Sequence, residues 1–349
     1  MSPAIEEFDY HLPPELVAAY PAEPRDAARL LVVDRETGAL RHAIFRELPH
    51  FLEPGDVLVV NDTRVFPARL TGVKETGGKV ELLLHHLPVA DNGGDPAAGR
   101  ALAGYRGRLR PGVRLRLGES LAGEVLALPR PGVAEVRLVS ERGGVVEAVL
   151  AAGEVPLPPY IRRPPTAGDR ESYQTMFAHK TGAIACPTAG LHFTPRVLAA
   201  LKAKGVETVA VTLHVGPGTF TPVRTRDYTA HRLAPEYYEL PPEAARRLTA
   251  AKREGRPLVA VGTTTVRVLE SCVTAAGFRP GAGWCDLYIY PGYRFRAVDR
   301  LLTNFHLPRS TLLLLVSAFA GRELILRAYE EAVRQRYRFY SYGDCMLIR

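Results

Sequence analysis

The sequence predicts an α/β protein with a mixed-sheet αβα main domain and an inserted small antiparallel β-barrel domain. Three observations lead to this prediction. Helix-like and strand-like segments alternate over residues 155–349, whereas short strand-like runs separated by Gly and Pro fill residues 66–154. Residues 1–65 contain strands but are too few to bury them alone. We therefore expect a discontinuous main domain, 1–65 with 155–349, interrupted by a barrel domain at 66–154.

The first segment supplies strands that must pair with the later part of the main domain. "ARLLVVDRETGAL" (28–40) predicts a strand, a turn and a second strand, with Gly38 free to take the positive φ of a hairpin. "GDVLVVNDTR" (55–64) predicts a buried strand that ends in polar residues, which cannot continue it.

The sequence pattern of the inserted segment predicts a small barrel. "ARLTGVKETGGKVELLLHHL" (68–87) alternates apolar and polar residues around a Gly-Gly turn, and further short strands follow it. The polar tract "ADNGGDPAAG" (90–99) predicts a flexible loop within the barrel.

Helices and strands then alternate after a proline-rich connector, "EVPLPPYIRRPP". Ser310–Thr311 predict the cap of an apolar helix, and apolar residues from Leu324 to Val333 fall on one face of a second helix. The other expected elements are a helix from Thr194–Pro195 to Gly205, strand 206–215, helix 241–255, strand 257–262, a helix over 263–273 capped by threonine, and a final strand in 340–349.

Composition narrows the function classes. The formal net charge of +8 favours polyanionic partners such as RNA. The four cysteines, widely spaced and without a CxxC pair, predict neither a disulfide framework nor a zinc site and favour a reducing cytoplasm. The longest apolar run, "LLLLVSAFA" from residue 312, is too short to span a bilayer, so we expect no membrane association.

Three junctions join a strand or loop to a turn or a helix start through Gly, Thr and His. They are "CPTAGLHFTP" (186–195), "LHVGPGTFTP" (213–222) and "VAVGTTTVRVLES" (259–271). In open α/β sheets, ligands bind beyond the carboxyl ends of strands, where backbone N–H groups and helix N-termini are exposed. Glycine admits a ligand close to the backbone, and His192 or His214 would supply acid–base chemistry. Each junction alone is also compatible with a purely structural role.

Two further segments are candidates for the same cleft. Asn304 and His306 lie in "LLTNFHLPRST", and Asp344 lies in "SYGDC" as either an exposed turn or a carboxylate base. No Rossmann GxGxxG, P-loop or GxSxG motif is present. The histidines show no metal-ligand spacing, so we expect no metal.

A set of sequence blocks runs in order nearly from end to end of the chain. The blocks are "FDYHLPPELVAAYP", "RDAARLLVVDRETG", "NDTRVFPARLTGVKETGGKVELLL", "VPLPPYI", "YQTMFA", "PTAGLHFT", "TLHVGPGTF", "VGTTTVRVLES", "PGYRF", "TNFHLPRSTLLLLVSAFAG" and "SYGDCMLI". This ordered set resembles the S-adenosylmethionine:tRNA ribosyltransferase-isomerase family of queuosine biosynthesis. One departure is Ala234, which stands where that family often has a second histidine beside His231, although Glu236 is kept.

The resemblance implies a reaction and a set of site residues. The ribosyl group of S-adenosylmethionine would be transferred to the aminomethyl group of a 7-deazaguanine in tRNA, with release of adenine and methionine and without a metal or redox cofactor. The expected catalytic residues are His192, His214 and His306 for proton transfer, with Asp344 as an alternative base. The expected substrate-binding residues are Asn61, Asp62, Arg64, Thr188, Gly190, Gly216, Gly218, Thr219, Phe220, Thr263, Thr264, Asn304 and Tyr342.

Within that set, Arg64 or the "GTTT" helix start would hold the methionine carboxylate, and Tyr342 or Phe220 would stack on a base. The expected partner is a tRNA anticodon stem-loop, bound by a monomer or a homodimer. A non-catalytic RNA-binding module and a hydrolase of a small nucleotide are the alternatives. Arginines of the insert would either track phosphates or form a solvated face: Arg106, Arg108, Arg110, Arg114 and Arg116.

Overall fold

The computed structural model describes residues 3–91, 94–220, 223 and 225–349, and for Thr219 and Phe220 it describes the backbone alone. Four strands precede the insert, and short 3₁₀ turns connect them to the N-terminal residues. The strands are β1 (Arg29–Val33), β2 (Leu40–Ile44), β3 (Val57–Asn61) and β4 (Thr63–Val65).

The insert consists of seven strands and one helix in the described residues. The strands are β5 (Arg69–Lys74), β6 (Lys79–Leu84), β7 (Val89–Ala90), β8 (Ala98–Arg106), β9 (Arg114–Arg116), β10 (Leu121–Arg130) and β11 (Val133–Ser140), followed by α1 (Val145–Ala152).

Six helices and nine strands follow the insert within the described ranges. The helices are α2 (Asp169–Ser172), α3 (Pro195–Ala203), α4 (Pro242–Arg253), α5 (Thr263–Cys272), α6 (Thr311–Ala320) and α7 (Arg322–Arg334). The strands are β12 (Lys180–Ala183), β13 (Glu207–Leu213), β14 (Glu236–Leu240), β15 (Leu258–Val261), β16 (Val273–Thr274), β17 (Gly277–Phe278), β18 (Gly281–Cys285), β19 (Arg300–Asn304) and β20 (Cys345–Ile348).

In the described part of the chain, the main sheet has the strand order β18-β14-β13-β3-β15-β19-β20-β1-β2. The four central strands β13, β3, β15 and β19 run parallel, so their carboxyl ends meet at one edge. Strand β20 runs antiparallel to β19 and pairs Cys345 with Asn304, which brings the start of β20 to the same edge. As predicted, the first segment joins the later domain, because β1 pairs in parallel with β20.

The sheet is covered on both faces, which gives the αβα layers predicted from the sequence. Leu31 and Val33 of β1 pack in one core with residues of α4 to α7, whereas Leu30 and Val32 pack in a second core with residues of α3. Successive side chains of a strand point to opposite faces, so a strand buried on both sides needs a continuous apolar run.

The insert forms a closed antiparallel barrel of six strands within the described residues. The order is β11-β10-β9-β5-β6-β8, with β8 paired back onto β11 and the short β7 added to β8. Its strands and α1 lie inside the predicted interval 66–154. The exact domain limits stay a prediction, because Ile184 from the later segment also packs in the barrel core.

Local details confirm some expectations and correct others. Gly38 and Gly205 take φ of +70° and +85°, as their turns require, and the Thr194 hydroxyl accepts from the Val197 N–H at the start of α3.

The corrections concern the limits of elements. The cap of α5 is not a threonine, because Gly262 precedes the helix with φ +87°. The final strand is shorter than predicted and begins at Cys345, after a turn. The predicted loop 90–99 overlaps the ends of β7 and β8, and residues 92 and 93 lie outside the described residues.

Candidate active site

A cleft opens at the edge where the four parallel strands end. It contains about 670 Å³ of space between atoms, including the part that is open to solvent. The cleft is lined by Tyr160, Cys186, Pro187, Thr188, Ala189, Val215, Gly262, Thr263, Thr264, Thr303, Asn304, Phe305, His306, Leu307, Ser310, Leu312, Tyr340 and Ser341. Segments from separate parts of the chain therefore converge on it.

The N-terminus of α5 faces this cleft. Gly262 has no side chain to cap the helix, and Thr263 and Thr264 of the first turn line the cleft. The first N–H groups of a helix have no partner within it and carry partial positive charge. This end of α5 therefore suits the binding of a carboxylate.

Asn304, at the end of β19, connects several walls of the cleft. Its Oδ1 accepts from the Thr188 hydroxyl at 3.0 Å, and its Nδ2 donates to the Tyr340 carbonyl at 3.1 Å. The same Nδ2 lies 3.3 Å from Nε2 of His192. Tyr340 itself holds a φ of +70°, a conformation that costs energy for a residue with a Cβ. The amide thus fixes a strained turn against the edge of the sheet.

His192 lies behind Asn304 and does not line the cleft. It is buried, with its ring 5.2 Å from that of Phe45. Burial lowers its pKa to about 4, because removing the imidazolium from water costs more than the nearby Asp344 regains. His192 is therefore neutral at pH 7, and its link to the cleft is the contact with the Asn304 amide.

Of the three predicted histidines, only His306 lines the cleft. Its Nε2 lies 3.1 Å from the Thr303 hydroxyl and its Nδ1 lies 3.2 Å from the Tyr329 hydroxyl. The Tyr329 oxygen also accepts from the His306 backbone N–H at 3.0 Å, so the tyrosine holds both the backbone and the ring of His306. Burial lowers the pKa of His306 to about 3, which keeps the ring neutral.

His214 lies outside the cleft. Its Nδ1 is 2.7 Å from the Thr63 hydroxyl, and its ring stacks on Tyr237 at 5.6 Å. The ring also covers Gly182 so closely that a Cβ there would come within 2.5 Å of it. Burial lowers the pKa of His214. The structure thus does not unite His214 with His306, contrary to the sequence prediction.

Asp344 and Tyr342 are also placed differently from the prediction. The Asp344 carboxylate is buried and accepts from the backbone N–H groups of Arg29 and Arg338, and it pairs with the Arg29 side chain at 3.3 Å. Its oxygens therefore hold two chain segments together and do not face the cleft. The Tyr342 ring is only 1 % exposed and its hydroxyl donates to Asp169, so it has no free face for a base.

The polar end of β3 holds the neighbouring strands. Asn61 donates to the Leu213 carbonyl at 3.0 Å and to the Thr264 hydroxyl at 3.2 Å, so it positions α5 from behind. Asp62 accepts from the Thr212 hydroxyl at 2.6 Å. The side chain of Arg64 is exposed and does not line the cleft. None of these three residues therefore contacts the cleft directly.

The three predicted glycines Gly190, Gly216 and Gly218 do not line the cleft. Gly190 is buried against Thr175, where a Cβ would approach within 2.9 Å, and Gly216 donates its N–H to Glu236 at 2.7 Å. Gly218 lines a smaller neighbouring cavity of about 390 Å³. The side chains of Thr219 and Phe220 lie outside the described residues, so their predicted contacts stay predictions.

Sequence reasoning missed a buried ion pair beside the cleft. Glu236 pairs with Arg267 of α5, and Arg267 also donates to the carbonyls of Cys285 and Leu287. A buried charge needs a partner, so this pair connects the Gly216 turn to α5. It was missed because sequence spacing does not show that residues 236 and 267 meet.

Tyr160 in the "VPLPPYI" motif was missed for the same reason. It lines the cleft, and its hydroxyl lies 2.6 Å from that of Ser341.

The described ranges contain no group of three or more His, Cys, Asp or Glu side chains placed to hold a metal ion. The expectation of metal-free chemistry stays a prediction. Within the same ranges, none of the helices combines the length and the apolar character needed to cross a membrane.

The fold and the cleft are those of an α/β enzyme with a barrel insert. Residues 5–348 match the family model described as queuosine biosynthesis protein. The S-adenosylmethionine:tRNA ribosyltransferase-isomerase of Anaeromyxobacter sp. is 54 % identical over 99 % of this chain and 98 % of its own, and that of Aquifex aeolicus is 48 % identical over 99 % of both chains. A crystal structure of S-adenosylmethionine tRNA ribosyltransferase from Thermotoga maritima, 37 % identical, covers 98 % of this chain and 100 % of that one with a TM-score of 0.56. The chain belongs to the family of queuosine biosynthesis proteins and is a transferase-isomerase enzyme.

Proposed function

We propose that the protein transfers and isomerises the ribosyl moiety of S-adenosylmethionine onto the aminomethyl group of 7-aminomethyl-7-deazaguanine in tRNA. The products are epoxyqueuosine-tRNA, adenine and methionine. The observation that carries this proposal is the similarity over the whole chain to relatives named for this activity, at 54 % identity for the Anaeromyxobacter protein. The cleft at the carboxyl edge of the sheet supplies the site.

The methionine carboxylate of the donor binds at the N-terminus of α5, beside Thr263 and Thr264. Of the two carboxylate sites that the sequence left open, this helix start lines the cleft and Arg64 does not. The unpaired N–H groups and the helix dipole both favour an anion there.

The chemistry needs placement and proton transfer. The sulfonium acidifies the adjacent 5′ carbon, a base removes its proton, adenine departs, the amine attacks and methionine leaves. Because the sulfonium itself activates the carbon and the leaving group, neither a metal nor a redox cofactor is required. His306 is the histidine at the cleft wall, and its neutral ring with Thr303 forms the proton-transfer pair. His192 positions Asn304.

The RNA partner is an anticodon stem-loop, whose unpaired bases can be splayed into a pocket. The net charge of +8 supports this partner. The free, buried cysteines support a cytoplasmic location, and the active unit is a monomer or a homodimer.

The test is adenine release from S-adenosylmethionine in the presence of tRNA that carries the aminomethyl-deazaguanine. We expect release with the modified tRNA and none when the tRNA is omitted or carries an ordinary guanine. Binding of tRNA without any adenine release would instead identify a non-catalytic RNA-binding protein and contradict the proposal.

A further inference from the structure

His214 is conspicuous because the sequence predicts a site residue and the structure places it outside the cleft. It is the inner member of three neighbouring aromatic rings, which we call the aromatic ladder: His214, Tyr237 and Trp284. His214 follows the end of β13, and the other two rings belong to β14 and β18.

The three rings of the ladder touch one after the other. Tyr237 and Trp284 are directly paired across β14 and β18, and their rings meet edge to face, with centroids 5.9 Å apart and an interplanar angle of 78°. His214 stacks on Tyr237 at an interplanar angle of 20°. Trp284 is 70 % exposed, whereas Tyr237 and His214 are half-buried. A tryptophan is normally highly buried, so its exposure on an outer strand needs a reason.

The ladder and the cleft share a segment of the chain, residues 213–215. Val215, the residue after His214, lines the cleft. Leu213, the residue before it, is bonded through Asn61 to Thr264 of the cleft wall. The inner end of the ladder and the wall of the cleft are therefore formed by consecutive residues after β13.

The surroundings favour a planar, anionic ligand over a protein. Arg64 follows directly after Thr63, the residue that contacts His214. Arg64 is exposed and has no carboxylate partner among the described residues. Trp284 is the single large apolar side chain of β18 that is exposed, which is too little for a stable protein interface of about 800 Å² per partner.

We propose that the aromatic ladder is a stacking platform for unpaired nucleobases of the RNA substrate, next to the base that reacts. The inference rests on the proposed function for the identity of the RNA. Stacking on aromatic side chains is the common way in which proteins bind unpaired bases, and it tolerates different sequences because every base has a π-face. His214 then has a binding role in place of proton transfer.

Trp284 provides a direct test because it is the single tryptophan of the chain. We expect its fluorescence to be quenched when a tRNA anticodon stem-loop transcript is added to the full-length protein. The same transcript annealed to its complement, which leaves no unpaired loop, should quench much less. Equal quenching by both RNAs, or none by the stem-loop, would overturn the platform.

Variants test the consequence for the substrate. Trp284→Ala should raise KM for tRNA about tenfold while leaving KM for S-adenosylmethionine unchanged, and Trp284→Phe should recover most of the loss. Val89→Ala, which shortens an exposed apolar side chain on the barrel, is the matched control and should change neither constant. An unchanged KM for tRNA in Trp284→Ala would contradict the proposal.

A second copy of the chain is the competing occupant of the ladder. If the wild type dimerises with increasing concentration and Trp284→Ala does not, the ladder binds that second copy and the inference is wrong. If the wild type releases no adenine with modified tRNA, the proposed function is wrong. The fluorescence experiment does not depend on adenine release, so it still shows whether the ladder binds unpaired bases.

Discussion

Asn304 and His192 are joined by a contact of 3.3 Å between Nδ2 and Nε2, and of the two only Asn304 lines the cleft. His192, the histidine of the "PTAGLHFT" motif, therefore lies one layer behind the wall of the cleft. Nε2 of His192 accepts a hydrogen bond from Nδ2 of Asn304. The same amide also contacts Thr188 and the strained turn at Tyr340. The expected role of His192 is the positioning of Asn304.

Replacing His192 tests this positioning role. We expect His192→Leu to lower kcat for adenine release by about 10- to 100-fold, because Asn304 loses its support, and His192→Gln to retain more activity as a hydrogen-bonding residue. The pH profile of kcat between pH 6 and 8 should keep its shape, since the pKa of His192 is about 4 and the ring is neutral there. A folded His192→Leu variant with the full rate would show that the assignment is wrong.

The buried histidines predict a loss of stability in acid. The pKa of His192 is about 4 and that of His306 about 3, both below the ordinary value near 6.5. Between pH 6.5 and 4, the unfolded chain binds protons that the folded chain does not bind, so the free energy of unfolding falls as the pH is lowered. Each histidine contributes about 3 kcal/mol to this loss by pH 4.

Urea denaturation from pH 7.5 to 4.5 measures this effect. We expect His306→Gln to have a flatter dependence of stability on pH than the wild type, whatever its stability at pH 7.5. His50→Gln, at an exposed histidine, is the matched control and should keep the slope of the wild type. An identical slope in both variants would contradict neutral burial of His306.

Binding of a donor without a carboxylate tests the role of α5. Decarboxylated S-adenosylmethionine should bind at least about tenfold more weakly than S-adenosylmethionine, because the N–H groups at Thr263 and Thr264 lose their anion. Calorimetric titration gives both dissociation constants. The Arg64→Ala variant should show the same difference between the two dissociation constants. If that variant binds both donors equally well, Arg64 and not α5 holds the carboxylate.

The Glu236–Arg267 pair should be strongly coupled. Replacing Glu236 by Leu leaves Arg267 as a buried charge without its partner carboxylate, which we expect to cost about 3 kcal/mol or more. Combining it with Arg267→Met should cost much less than the sum of the two single changes. The exposed pair Glu243–Arg246 is the control and should show a coupling below about 0.5 kcal/mol. Additive effects at Glu236 and Arg267 would contradict the coupling.

Patterns along the chain predicted the layers of the fold well because each is set locally. The continuous apolar runs of β1 and β3 require burial on both faces, and Gly205 ends α3 through its own φ. The cleft was predicted in part: Thr188, Thr263, Thr264, Asn304 and His306 line it. These residues all follow strand ends or begin helices, where position along the chain determines position in space.

The remaining site residues were misplaced because their direction depends on tertiary packing. His214 and Val215 are neighbours at the end of β13, yet alternation sends only Val215 into the cleft. Asp344 was expected to be a base, but its carboxylate is occupied by the Arg338 N–H and by Arg29, which lies at the other end of the chain. Contacts between distant segments leave no signature in one sequence.

Labelled ribose shows whether the protein moves the ribosyl group from S-adenosylmethionine to the tRNA. The protein is incubated with S-adenosylmethionine that is isotopically labelled in the ribosyl group and with tRNA bearing the aminomethyl-deazaguanine, and the tRNA is digested and analysed by mass spectrometry. We expect the labelled ribosyl unit to appear on the modified base, together with one equivalent of free adenine. Release of adenine with all of the label left in small molecules would contradict it.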